Sequence, residues 1–158
     1  MSIDAAHSSP WKTAHFVFGS ILLLGLVLHW FWPLPVKPYA FGLSLHLLGT
    51  PLLLLGTLII MLSKRDMDMH QQPSEPKAST TQVITSGMFR FSRNPLYLGL
   101  FLTFCGLAIA TDKLWWLLLT PIALALTHYL LIAPEEAYLE RKFGDEYKAY
   151  KHKVRRWI

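Results

Sequence analysis

The chain is poor in two things that soluble domains usually have. It holds a single cysteine, Cys105, among 158 residues, so an intramolecular disulfide is excluded. Because Cys105 falls inside a long apolar run, it reads as a small packing residue rather than a nucleophile. Charge is also scarce. Only 16% of the residues are Asp, Glu, Lys or Arg, against 53% hydrophobic, where a soluble domain carries roughly a quarter charged residues. The scarcity is uneven: no Asp, Glu, Lys or Arg occurs in 14–32, 38–63, 94–111 or 114–133. An ordinary soluble fold is thereby excluded.

A helix needs about 20 apolar residues to cross a hydrocarbon core of about 30 Å. The composition therefore predicts an all-α, polytopic membrane protein of about four transmembrane helices, roughly 14–32, 40–62, 95–111 and 114–133. These belong to one membrane domain: two N-terminal helices within 1–62, a polar loop 63–94, a helical hairpin 95–133 and a tail 134–158. The first segment does not read as a cleaved signal, because Trp30, Phe31 and Trp32 form an interfacial aromatic anchor. Gly42, Gly49 and Gly56 recur every seven residues in helix two, and Gly99 and Gly106 repeat the spacing in helix three. Small residues on one face let helix backbones approach in lipid, so these positions read as packing seams. Pro51 and Pro121 should kink their helices, and "TDK" at 111–113 closes the hairpin.

The net charge of +5 is concentrated at one side. The long loop carries Lys64, Arg65, Lys77, Arg90 and Arg93, and the tail carries Arg141, Lys142, Lys148, Lys151, Lys153, Arg155 and Arg156. The opposite loops hold only Lys37 and Lys113. The positive-inside rule places both termini and the long loop in the cytoplasm. Basic residues that flank membrane helices fit anionic lipid better than nucleic acid. Pro134 suits the first turn of a new helix, with Glu135 and Glu136 at its start. Gly144 reads as a stop and Asp145 as the cap of a second short helix. Tyr147, Tyr150, Val154 and Trp157 share one face, which predicts an amphipathic helix lying in the membrane interface.

The hairpin brings two polar clusters to one membrane surface. Arg90, Arg93, Asn94 and Tyr97 lie at the mouth of helix three, where Pro95 fits the first turn and free backbone donors attract anions. Glu135 and Glu136 lie at the mouth of helix four. His128, seven residues before Glu135, falls on nearly the same face and is a candidate for contacting a substrate. Carboxylates and aromatic faces suit a cation, and arginine suits a carboxylate. The set fits a zwitterionic, cation-centred, nucleotide-like ligand that periodicity alone does not name. Met67, Met69 and His70 lack a second spaced ligand, so no metal site is expected.

The stretch "TSGMFRFSRNPLYLG" (85–99), followed about 36 residues later by "EEAYLERKFGDEYKAYKHKVRRW" (135–157), is specific. It resembles the isoprenylcysteine carboxyl methyltransferase family and the related phospholipid N-methyltransferases. The resemblance covers about residues 79–157 and implies an integral membrane methyltransferase that uses S-adenosylmethionine on a lipophilic or membrane-associated acceptor. By motif position it implies cofactor contacts at Gln82, Val83, Ile84, Phe89, Asn94, Pro95, Leu96, Tyr97, Glu135 and Glu136. Arg93 and Glu135 are the candidate catalytic residues. Asn94 and Phe89 stand where the family often has histidine and tyrosine. Leu131 stands where the prenylcysteine enzymes carry a substrate-contacting arginine, and Thr81 replaces a histidine. These departures point away from a prenylated cysteine carboxylate and leave a lipid amine or a small hydrophobic thiol open. The competing classes are a sterol-reductase-like protein binding NADPH and a non-catalytic membrane adaptor.

Charge placement yields a direct test. Reporter fusions after residue 158 and within 33–37 are expected on opposite sides of the membrane, the former cytoplasmic. Reporters on the same side would undo the four-helix topology.

Overall fold

The computed structural model describes residues 14–35, 39–40, 43–44, 46–72 and 80–158. In lipid no water satisfies an open backbone, so apolar segments close their hydrogen bonds internally as helices. The first is α1, Ala14–Phe31. A two-residue antiparallel ladder follows, β1 (Tyr39–Ala40) against β2 (Leu43–Ser44), with Tyr39 opposite Ser44 and Ala40 opposite Leu43. Then come α2 (His46–Met69), a 3-10 turn (Gly87–Arg90), α3 (Pro95–Ala110) and α4 (Leu114–Thr127). A π turn, His128–Ile132, joins α4 to α5 (Ala133–Phe143), and α6 (Asp145–Lys153) ends the helical part.

Among the described residues three helical runs are long and apolar enough to cross a membrane: Ala14–Phe31, Leu47–Met69 and Leu114–Phe143. The fourth, α3, is shorter, 16 residues, or about 24 Å of rise. It is packed between α2 on one side and α4 on the other, and α1 covers α4. Large apolar side chains on the outside, such as Leu23, Leu54, Leu118 and Ile122, are at least half exposed, as a lipid-facing surface requires. The inside is built on Phe18, Phe104 and Trp116. Phe18 and Phe104 meet edge-on at 5.9 Å, and Phe104 and Trp116 lie 6.2 Å apart. The Trp116 indole donates to the Leu22 carbonyl at 3.1 Å, so its one polar atom is satisfied while the ring is buried.

The glycine spacing does what it predicts. On α2 and α3 the glycines oppose one another, Gly49 with Gly106 and Gly56 with Gly99. A Cβ on Gly106 would stand 2.8 Å from the Gly49 carbonyl oxygen, and one on Gly99 would stand 2.8 Å from that of Gly56. The two backbones therefore run in contact, which fixes the mouth of α3 against the end of α2. Gly42 lies outside the described residues.

Two boundaries differ from expectation. Helix two starts at His46 rather than near 40 and continues to Met69, carrying Lys64, Arg65 and Asp66 past its apolar part. Strong helix formers continue the turns, and Asp66 is fixed by accepting from the Met88 backbone N–H at 2.6 Å. Secondly, Pro134 stands in the first turn of α5 with Glu135 and Glu136 beside it, as expected, but α5 follows α4 without a break. The chain runs helically from Leu114 to Phe143 through the π turn, at whose end the Ala133 N–H reaches back to the His128 carbonyl. Pro51 and Pro121 likewise sit inside continuous helices. Gly144, at φ 54°, both stops α5 and opens α6. Asp145 is thus not the cap. It lies in the first turn, where Lys148 pairs with it at 3.1 Å.

Replacing Gly106 with Val should therefore cost about 1–3 kcal/mol or more through forced separation of α2 and α3, read as a lowered melting temperature in detergent. Gly19, where an added Cβ would meet nothing within 4 Å, is the control: Gly19→Ala should leave melting unchanged or raise it. Equal effects at the two positions would remove the seam.

Candidate functional site

The α2–α3 contact brings four segments to one end of the bundle: the end of α2, residues 80–94, α5, and α6 with the tail. They line a cleft that is partly open to solvent. The 80–86 segment is irregular rather than a strand and is strapped to the end of α2. The Gln72 amide donates to Thr81 Oγ1 at 2.6 Å and accepts from the Thr81 N–H at 3.0 Å. Gln82 Nε2 donates to the His70 carbonyl at 3.0 Å. Gly87 takes φ 58°, where a side chain would strike the Asp66 carboxylate. The turn after it presents Phe89 to the cleft.

Of the expected cofactor residues, Gln82, Val83, Ile84, Phe89, Asn94, Glu135 and Glu136 line this cleft together, and so does Arg93. Pro95, Leu96 and Tyr97 do not. Pro95 is buried at the first turn of α3. The Tyr97 hydroxyl donates instead to the Glu135 carboxylate. His128 is also not a lining residue. The π turn inserts an extra residue between His128 and Glu135, so the seven-residue spacing no longer places them on one face. Its ring packs edge-on against Tyr129 at 4.9 Å. Leu131 is 1% exposed within the apolar core.

The tail closes the site. Tyr147 and Tyr150 are buried inside the protein, so the apolar face of α6 covers the motif loop rather than resting in a lipid interface. Its helix ends at Lys153, and Val154 is extended. Tyr150 donates to the Phe89 carbonyl at 2.6 Å. The Arg93 N–H donates to the Arg155 carbonyl at 3.0 Å, and Ser92 Oγ donates to that of Arg156, also at 3.0 Å. Arg156 grips Glu136 with two bonds, Nε to Oε1 at 3.1 Å and Nη2 to Oε2 at 2.7 Å. Arg93 Nη2 lies 3.4 Å from Oε1 of the same carboxylate, both side chains being 9% exposed. Met67, Gln72, Thr80, Leu139, Tyr147 and Tyr150 also line the cleft, and sequence reasoning did not assign them to it; nor did it single out Arg156, which holds Glu136. The signal for the tyrosines was present in their spacing but was assigned to a lipid face.

The adjacent carboxylates differ. At 1.5 Å per residue, Leu114 to Ala133 already spans about 29 Å, so the turns from Glu135 onward stand beyond the membrane-crossing part. Glu135 is partly exposed as a residue, but its carboxyl faces inward, and burial pushes it up to about 7 against the hydrogen bond from Tyr97. Burial also opposes charge on Glu136, yet the Arg156 hydrogen bond and the Arg93 charge outweigh it and hold the carboxyl below its usual range. Burial raises the phenols of Tyr147 and Tyr150 above their ordinary value.

Fold and cleft together define a polytopic membrane protein with a cleft of polar and aromatic residues at the mouths of its helices. The sequence profile described as phospholipid methyltransferase matches residues 44–146. The chain belongs to that family, one of integral membrane methyltransferases that includes the isoprenylcysteine carboxyl methyltransferases. Over 27 residues it is 74% identical to a Haemophilus influenzae protein described as uncharacterized, a stretch covering 17% of this chain and 43% of that protein. This chain thus spans less than half the length of that relative. No solved structure matches it.

A lowered carboxyl contributes stability above its unfolded pKa of about 4.3, and that stability is lost as the pH falls through the folded value. Detergent melting should therefore fall on acidification below about pH 4, and Glu136→Gln should flatten that limb. An unchanged acid limb in the variant would remove Glu136 as the group responsible.

Proposed function

We propose that this chain is an S-adenosylmethionine-dependent methyltransferase acting on a lipophilic or membrane-associated acceptor, with the cleft as its cofactor site on the cytoplasmic side. The observation that carries the reading is the convergence on one cleft of both halves of the motif, 82–94 and 135–136, with the Arg93 guanidinium among them.

The residues present fit the cofactor. Phe89 and the Glu135 carboxylate suit a cation, and Arg93 suits a carboxylate. Among its guanidinium nitrogens, Nε and Nη1 are buried without a hydrogen-bond partner among the described residues. Such donors are costly to leave unmet. When bound, S-adenosylmethionine would supply an activated methyl group on a sulfonium. In this reading Glu135, which has no ion pair with an arginine among the described residues, lies against the cationic part of the ligand. Tyr97 holds that carboxyl in place from α3. Arg93 positions an anionic group. Orientation is the main demand, because methyl transfer to a nucleophile needs alignment more than acid–base help. Leu131, enclosed in the core, offers no charge to an anionic acceptor, which favours a lipid amine or a hydrophobic thiol. The positive-inside charge pattern supports the cytoplasmic assignment.

Titration calorimetry of the purified protein with S-adenosylhomocysteine and with NADPH tests the reading. Binding of the former alone is expected. Glu135→Ala should weaken it by about tenfold or more, while Glu140→Ala, whose carboxylate pairs with Lys151 at the exposed surface, should leave it unchanged. NADPH binding without S-adenosylhomocysteine binding would replace this reading with the reductase. Equal losses in the two variants would remove the pocket assignment.

A further inference from the structure

Glu136 has two oxygens and two arginines beside it, and the arginines do not share it equally. Arg156 takes both oxygens, at 3.1 and 2.7 Å. Arg93 reaches only Oε1, through Nη2, at 3.4 Å. A bidentate fork uses the best geometry a carboxylate has, so the second arginine is left with a long single contact. Its remaining nitrogens, Nε and Nη1, are buried with no partner among the described residues, on a side chain that is 9% exposed and lines the cleft. Two guanidiniums against one carboxylate leave one positive charge in excess, the complement of a single further carboxylate.

The backbone makes the asymmetry stable. The Arg156 carbonyl accepts from Ser92 Oγ at 3.0 Å and from Asn94 Nδ2 at 3.4 Å. The Arg155 carbonyl accepts the N–H of Arg93 itself at 3.0 Å. The tail is thereby fastened to the residues on both sides of Arg93, and the Arg156 fork is held where it can reach Glu136.

We propose that Arg156 is a positioning residue: by occupying both oxygens of Glu136 it holds Arg93 off that carboxylate and keeps the Arg93 fork open as a subsite for the carboxylate of a ligand in the cleft. The proposal rests on the cofactor reading above, in which that group is the carboxylate of the methionine moiety. Without Arg156, Arg93 turns fully onto Glu136, the excess charge disappears and the subsite closes. The nucleoside end of the ligand, which does not meet Arg93, keeps its contacts.

The test compares two probes on the full chain in detergent: S-adenosylhomocysteine, which has the carboxylate, and 5′-methylthioadenosine, which lacks the amino-acid part. The wild type should bind the first more tightly. Arg156→Gln should weaken S-adenosylhomocysteine by about 10- to 100-fold and leave 5′-methylthioadenosine within about twofold. Arg156→Lys keeps the charge but not the fork and should show the same selective loss to a smaller extent; it carries the test if Arg156→Gln fails to melt cooperatively. The double variant Arg93→Gln, Arg156→Gln should bind S-adenosylhomocysteine no more weakly than Arg93→Gln alone, because both act through one contact. A parallel loss for both probes would make Arg156 a purely structural latch and overturn the proposal, as would additive losses in the double variant. A wild type that binds both probes equally removes the subsite alone. One that binds neither removes the cofactor reading and the subsite with it.

Discussion

A single carboxylate in a nearly dry position governs the working end of this molecule. Removing a charge from water is expensive unless partners and hydrogen bonds replace the lost hydration. Glu136 meets that demand with residues from two other places in the chain, Arg93 before α3 and Arg156 in the tail. The requirement ties the ends of three separate segments together. It also fastens the tail after α6, which has no regular structure: its carbonyls receive the hydrogen bonds of the motif loop while the Arg156 side chain satisfies the charge.

The glycine contact between α2 and α3 is the corresponding constraint inside the membrane. Close backbone approach at Gly49–Gly106 and Gly56–Gly99 sets α3 alongside α2, and the extra turns of α2 beyond the apolar stretch then support the 80–90 segment. Asp66 belongs to those turns, and Gln72 follows shortly after them. Packing among small residues on the lipid side and hydrogen bonding among polar residues on the aqueous side thus act on the same pair of helices.

Much of this was legible in the residues. Uncharged runs marked the helices, seven-residue glycine spacing marked the seam, and the paired motifs put 82–94 beside 135–136. What was not legible followed from interactions remote in sequence. Composition ends helix two near residue 62, but Asp66 is held by a backbone N–H of residue 88, which no local pattern announces. Pro134 carries the local signature of a helix start and stands at one, but no local pattern announces the π turn before it, which joins α4 to α5 without a break and shifts His128 out of phase with Glu135. The tyrosine face of α6 was evident, but its partner was not: amphipathicity specifies that a face is covered and does not distinguish lipid from Phe89. Arg156 resembled any other basic residue of the tail until its neighbours were known.

The uninterrupted helix from Leu114 to Phe143 has a mechanical corollary. No loop or hinge separates the bilayer-crossing part from the cleft carboxylates, so Glu135 rides at a set height, about 32 Å along the axis from Leu114, against a hydrocarbon core of about 30 Å. Bilayer thickness thereby becomes a ruler for the site. Where Leu114 sits at one boundary, Glu135 emerges at the other, level with the headgroups. A thicker or thinner bilayer shifts that level by tilting the rod.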